Sequence, residues 1–190
     1  MLRRCSFPLQ EEASSRSPAI GWRGKLAAAL LACGIPLLIG AQSAEADLAH
    51  RLLTAHNEER AGLQLAPLRW NAHMAADAGR WADTLASSGQ IRHANGGSRS
   101  GQGENLWIGT AGGFAPEAMV ASWASEKAHF RRGRFPQVST TGNWADVGHY
   151  TQMVWGSTDE VGCAVRRGAA ADVLVCRYRT PGNVSGQAPF

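Results

Sequence analysis

The chain has 190 residues, enough for one domain of ordinary size plus an extra segment. Hydrophobic content of 44% and charged content of 18% describe a globular chain and exclude a disordered one. The formal net charge of +4 does not point to nucleic acid: Arg3, Arg4, Arg16, Arg23 and Lys25 precede residue 45 beside only Glu11 and Glu12, and the remaining 14 cations and 13 anions show no basic stripe interleaved with aromatics.

In chain order, the N-terminal segment reads as a signal peptide over residues 1–46. A long basic n-region ending at Arg23 and Lys25 leads into the apolar run Leu26–Ala41. Ala44-Glu45-Ala46 offers small residues for cleavage ahead of Asp47. The run is too short for a spanning helix, and Gly34 and Pro36 interrupt it, so no membrane span is expected in the mature chain. The n-region is unusually long, which allows a natural start downstream of Met1. Leu30-Leu31-Ala32-Cys33 resembles a lipoprotein processing site, the minority alternative to simple cleavage. Localisation is therefore secreted, extracellular or periplasmic. Cleavage removes Cys5 and Cys33. Cys163 and Cys176 remain, a disulfide in an oxidising compartment, with two buried free thiols as the alternative.

Asp47 reads as the N-cap of a helix carrying Leu48, Leu52, Ala55 and Glu59 and ending near Gly62. Asn71 caps a second helix with an apolar stripe of Met74, Ala78, Trp81 and Leu85, closed by Ser87-Ser88-Gly89. Residues 94–103 read as a loop. Asn105–Ile108 suits a strand, and Pro116 opens a helix through Met119, Trp123 and Lys127. A polar loop covers 131–146. Tyr150, Gln152 and Val154 alternate with Thr151, Met153 and Trp155 as in a strand; Val161–Val165 and Val173–Tyr178 are two more, and pairing these two around their Gly-Ala turn sets Cys163 opposite Cys176. Helices first and strands later predict an α+β sandwich around one core. Six of the seven tryptophans fall in this domain as core and rim fillers.

Four residues carry chemical capacity: His93, Glu104, Glu126 and His149. Taken singly, each has an ordinary reading as a solvated loop histidine, a strand-end carboxylate, a helix-surface carboxylate and a satisfied histidine. Gly148-His149-Tyr150-Thr151-Gln152-Met153-Val154-Trp155 with Gly162-Cys163-Ala164 resembles the first signature of the CAP superfamily (cysteine-rich secretory, antigen-five and pathogenesis-related proteins), and Val175–Gly186 resembles the second. His56-Asn57-Glu58-Glu59-Arg60, Leu68-Arg69-Trp70-Asn71, Gly103-Glu104-Asn105-Leu106 and Trp123-Ala124-Ser125-Glu126 match the remaining blocks in order, from residue 48 to the C-terminus.

The resemblance implies a domain over 47–190 with a three-layer α-β-α sandwich, a central mainly antiparallel sheet, and a cleft collecting His93, Glu104, Glu126 and His149. Tyr150, Gln152 and Asn105 support the signature. Two imidazoles with nearby carboxylates suit a divalent metal, zinc first; a hydrogen-bonded cluster without metal is the alternative. The chain also departs from better-known members. Val147 stands where many have cysteine, and Arg177 and Thr180 replace residues that are commonly Asn and an acidic residue or proline. The single expected disulfide, the high Arg usage and the signal design suggest a bacterial secreted member. No cysteine-rich module is expected after Phe190, so functions of such a module are not carried over. Asn183-Val184-Ser185 is read as an incidental sequon. Three functions compete: a binding or signalling module for a lipid, sterol or peptide; a zinc hydrolase with Glu104 or Glu126 as general base; and a structural or interaction protein at the cell surface.

Overall fold

The computed structural model describes residues 35–99 and 101–190, with side chains from residue 42; the greater part of the expected signal segment, including Cys5 and the alternative lipidation site Cys33, lies outside the described residues. Helix α1 spans Ile35–Gly62 and so begins before the expected cap. Pro36 stands in the first turn, where a missing N–H costs nothing, and the alanine-rich stretch after it contains no breaker strong enough to stop the helix. Asp47 is accordingly an interior position, its carboxylate 3.7 Å from Arg51 one turn on. Among the described residues no helix is long and apolar enough to cross a membrane.

Strand β1 (Arg69–Trp70) leads into α2 (Ala72–Ser88), where Asn71 accepts from the Met74 amide at 3.1 Å and Gly89 closes the helix at φ 65°. The buried stripe is Met74, Ala78, Gly79, Ala82 and Leu85. Trp81 falls at its margin, half-buried, with its indole N–H on the Arg92 carbonyl. The expected loop over 94–103 contains one helical turn, α3 (Gly96–Arg99), with Asn95 accepting from the Ser98 amide. Strand β2 is Gly103–Thr110; α4 is Pro116–Ala124 and runs on as a 3₁₀ turn, Ser125–His129.

The expected strand at Tyr150–Trp155 is instead helix α5 (Gly148–Met153). Gly148, Tyr150, Thr151, Gln152 and Met153 are all buried, so this turn of helix has no polar face and its sequence carries no helical period to read. Strands β3 (Glu160–Arg167) and β4 (Ala171–Arg179) complete a four-stranded sheet in the order β1-β3-β4-β2, antiparallel except for the β1–β3 pair. Cys163 lies directly opposite Cys176, and the two form a disulfide.

Strand alternation sends two sets of side chains to opposite faces. Leu106, Ala164, Val173 and Val175 pack with Ala78, Ala82 and Leu85 of α2. Cys163, Leu174, Cys176 and Tyr178 pack with Leu52 of α1, Met119 and Trp123 of α4, and Met153 of α5. The result is the expected three-layer α-β-α sandwich. Gly162 permits the α2 layer to close, because a Cβ there would stand 2.4 Å from both Asn71 O and Ala75 N. Buried Arg60 ties α1 to the chain leaving α5: its guanidinium donates to the carbonyls of Ala66, Met153, Trp155 and Thr158.

Candidate functional site

The four sequence-predicted residues form two His–Glu pairs, both tied to the start of β2. In the first pair, the His93 Nδ1–H donates to Glu104 Oε1 at 2.7 Å, and the Ala94 amide donates to the same oxygen at 3.0 Å. Glu104 is fully buried, and its other oxygen meets the Arg177 guanidinium at 3.0 Å. Arg177 stands opposite Glu104 in the β2–β4 register, so sheet pairing itself supplies the counter-charge. Burial lowers the Arg177 pKa and Glu104 opposes that shift.

In the second pair, the His149 Nδ1–H donates to Glu126 Oε1 at 2.6 Å. Glu126 Oε2 accepts the backbone amides of His149 and Tyr150, so this carboxylate also caps α5, for which Val147 provides no side-chain cap. Trp123 stacks on the His149 ring at 5.9 Å and 17°, and its indole N–H is held by the Leu106 carbonyl. Asn105, the residue after Glu104, donates to the His149 carbonyl at 3.0 Å. Consecutive strand residues leave on opposite faces, so the two pairs bracket the end of the edge strand from either side.

A carboxylate only accepts, which fixes a proton on each Nδ1, and in the neutral imidazole Nε2 then carries the lone pair. Neither Nε2 has a hydrogen-bond partner among the described residues, and the imidazoles are 55% and 33% exposed. Glu104 and Glu126 are committed to orienting them. Among the described residues, no three ligand atoms of the tetrad lie within 4.8 Å of one another. The trio that does is His56, Cys163 and Cys176, but both sulfurs are in the disulfide and leave no thiolate to coordinate a metal. Both His56 nitrogens are also occupied: Nδ1–H donates to Leu52 O, and Nε2 accepts from the Tyr178 hydroxyl, which itself accepts from Asn105.

The signature residues hold these parts in place. Gln152 accepts the Gly182 amide at 2.9 Å; Asn183 accepts from Thr151 and donates to Gly148 O, which leaves its amide engaged at both ends. Reasoning from sequence missed the role of Arg177. Its signal was a charged residue between Cys176 and Tyr178 in an otherwise apolar strand, which demands a buried counter-ion. Away from His93 and His149, a cavity of about 900 Å³ lies between α1 and the α2–β3 side, lined by Leu48, Leu53, Trp70 and Ala164 and also by Ala44 and Ala46 of the expected signal segment.

The family model described as "CAP: Cysteine-rich secretory protein family" matches residues 53–178. Pathogenesis-related protein 1C of Nicotiana tabacum is 34% identical over 139 residues, 73% of this chain and 78% of that protein. Pathogenesis-related protein 1 of Arabidopsis thaliana is 33% identical over 166 residues, 87% and 92% of the two chains. The fold resembles a crystal structure of NaASP2 with Zn2+, at a TM-score of 0.66 and 24% identity, covering 76% of this chain and 85% of that one.

Proposed function

This chain belongs to the cysteine-rich secretory protein family, and from that membership we propose that it is exported and acts outside the cell as a binding module. Its site is the pair of carboxylate-held imidazoles, His93 and His149, which would hold a divalent metal, zinc first. The observation carrying this reading is that both Nδ1–H groups are anchored, to Glu104 and Glu126, so that both Nε2 atoms are available as donors. The donor set suits two imidazole ligands with solvent completing the shell. A bound zinc would supply a Lewis-acidic centre for recognising an oxygen or nitrogen group of a ligand. Glu104 and Glu126 would orient the ligands rather than coordinate, and Trp123 would fix the plane of His149. The NaASP2 structure containing Zn2+ makes zinc the first probe.

A lipid, sterol or peptide is the ligand class. The hydrolase reading has less support, since Glu104 is buried against Arg177 and Glu126 is spent on His149 and the α5 amides. The test is calorimetric titration of zinc into the metal-stripped protein and into its His93→Ala/His149→Ala variant. Binding at about 1 μM or tighter (~8 kcal/mol) in the parent and its loss in the variant is the expected result. A folded parent that takes up no zinc overturns the metal assignment and leaves two hydrogen-bonded pairs that serve the fold.

A further inference from the structure

Behind the His93–Glu104 pair, on the α2 face of the sheet, lies a cavity of about 180 Å³ lined by Asp77, Arg80, Trp81, Thr84, Ser98 and Arg177. Arg177 is 2% exposed, and its Nη2 forms an ion pair with Glu104 Oε2 at 3.0 Å; Nε and Nη1, like Glu104 Oε2, are buried without a hydrogen-bond partner. Burying a guanidinium with most of its donors unmatched is costly, and the missing partner must accept several N–H bonds from a planar fork. An oxyanion has that geometry.

The local charge has the matching sign. Arg177, Arg80 and Arg99 act on one another here against Glu104 and Asp77, an excess of one positive charge. Glu104 gives Oε1 to His93 and the Ala94 amide and sets Oε2 beside Nη2 of Arg177, and Asp77 pairs with Arg80, so no carboxylate here hydrogen-bonds the Nε and Nη1 of Arg177. The hydroxyls of Thr84 and Ser98 donate to the carbonyls of Arg80 and Asn95, so the donors available to a ligand are the two guanidiniums. The volume admits one tetrahedral oxyanion or the carboxylate of a small acid and is too small for a nucleotide.

We propose that this cavity is a binding site for a small oxyanion, held by the unpaired edge of Arg177 and by Arg80. It is separate from the imidazole pair and does not depend on it: loss of zinc binding would leave it standing. Because Arg177 bridges the anion and Glu104, an occupied site also bears on His93 through one shared guanidinium.

The test follows thermal unfolding of the whole protein in phosphate, sulfate or acetate, with ionic strength held constant by sodium chloride. A bound anion raises the midpoint with the logarithm of its concentration, by about 3–6 °C at ten times its dissociation constant. Response to phosphate and sulfate alone marks an inorganic-anion site; response to acetate as well marks a carboxylate site. Arg177→Lys, which keeps a cation beside Glu104 and loses the fork, weakens the response at least about tenfold. Arg80→Ala, at an exposed position that leaves the fold intact, weakens it by a smaller factor. In the parent, phosphate also shifts the Arg177 Nε–H resonance, which keeps the test decisive if Arg177→Lys does not fold. No rise above chloride, or the same rise in both variants, overturns the proposal and leaves water as the partner of Arg177.

Discussion

His56 is fully buried, and that burial lowers its pKa from an ordinary 6.5 to about 4, with Arg60 adding to the shift and the Leu52 carbonyl opposing it. Its neutral form is the one the hydrogen bonds require, since Nε2 must accept from the Tyr178 hydroxyl. Burial likewise holds the Tyr178 phenol protonated, its pKa raised well above 10. The consequence for stability has a definite sign. Below about pH 6.5 the unfolded chain takes up a proton that the native site refuses. Stability therefore falls as pH drops from about 6.5 to 4, by about 3 kcal/mol, and this contribution is flat below. Urea unfolding at pH 7, 5.5 and 4 measures it. His56→Gln should lose this part of the slope while retaining the slopes due to other groups; an unchanged profile would show that His56 does not titrate in this window.

At the scale of elements, α5 depends on a residue outside itself. Six residues make too short a helix to hold by propensity, and its first amides point at Glu126 of the preceding 3₁₀ turn. One carboxylate thus starts the helix and orients the histidine at its second position. Glu126→Ala is expected to lower stability by about 1–2 kcal/mol and to raise hydrogen exchange at the His149 and Tyr150 amides above that of the β3–β4 pair. Uniform loss of protection across the sheet would mean that Glu126 supports the whole core rather than this helix. The capped helix α2, by contrast, was legible from Asn71 through Gly89, because its cap, its stripe and its stop are all local. Helix α5 was not, because its cap is remote and every one of its residues but His149 is buried.

For the molecule as a whole, the disulfide joins the centres of the two inner strands and closes a loop with a sequence separation of 13. Cys163→Ala/Cys176→Ala is expected to cost about 3 kcal/mol, chiefly through the added freedom of the unfolded chain, and denaturant unfolding measures it. Loss of less than about 1 kcal/mol would place the stabilisation in the two cores instead. Order and short-range pattern along the chain were sufficient for the α+β class and for the antiparallel β3–β4 pair with Cys163 facing Cys176, and the resemblance of short motifs was sufficient for the family. The class and the strand pair rest on local period and on neighbours along the chain, the family on motif resemblance. Tertiary structure alone decided the helix at Gly148–Met153, the extension of α1 through Ala44-Glu45-Ala46, and the division of the tetrad into two pairs astride an edge strand. It also placed Arg177 against Glu104, because strand register brings together side chains that lie 73 residues apart and no local period encodes which buried charge will meet which.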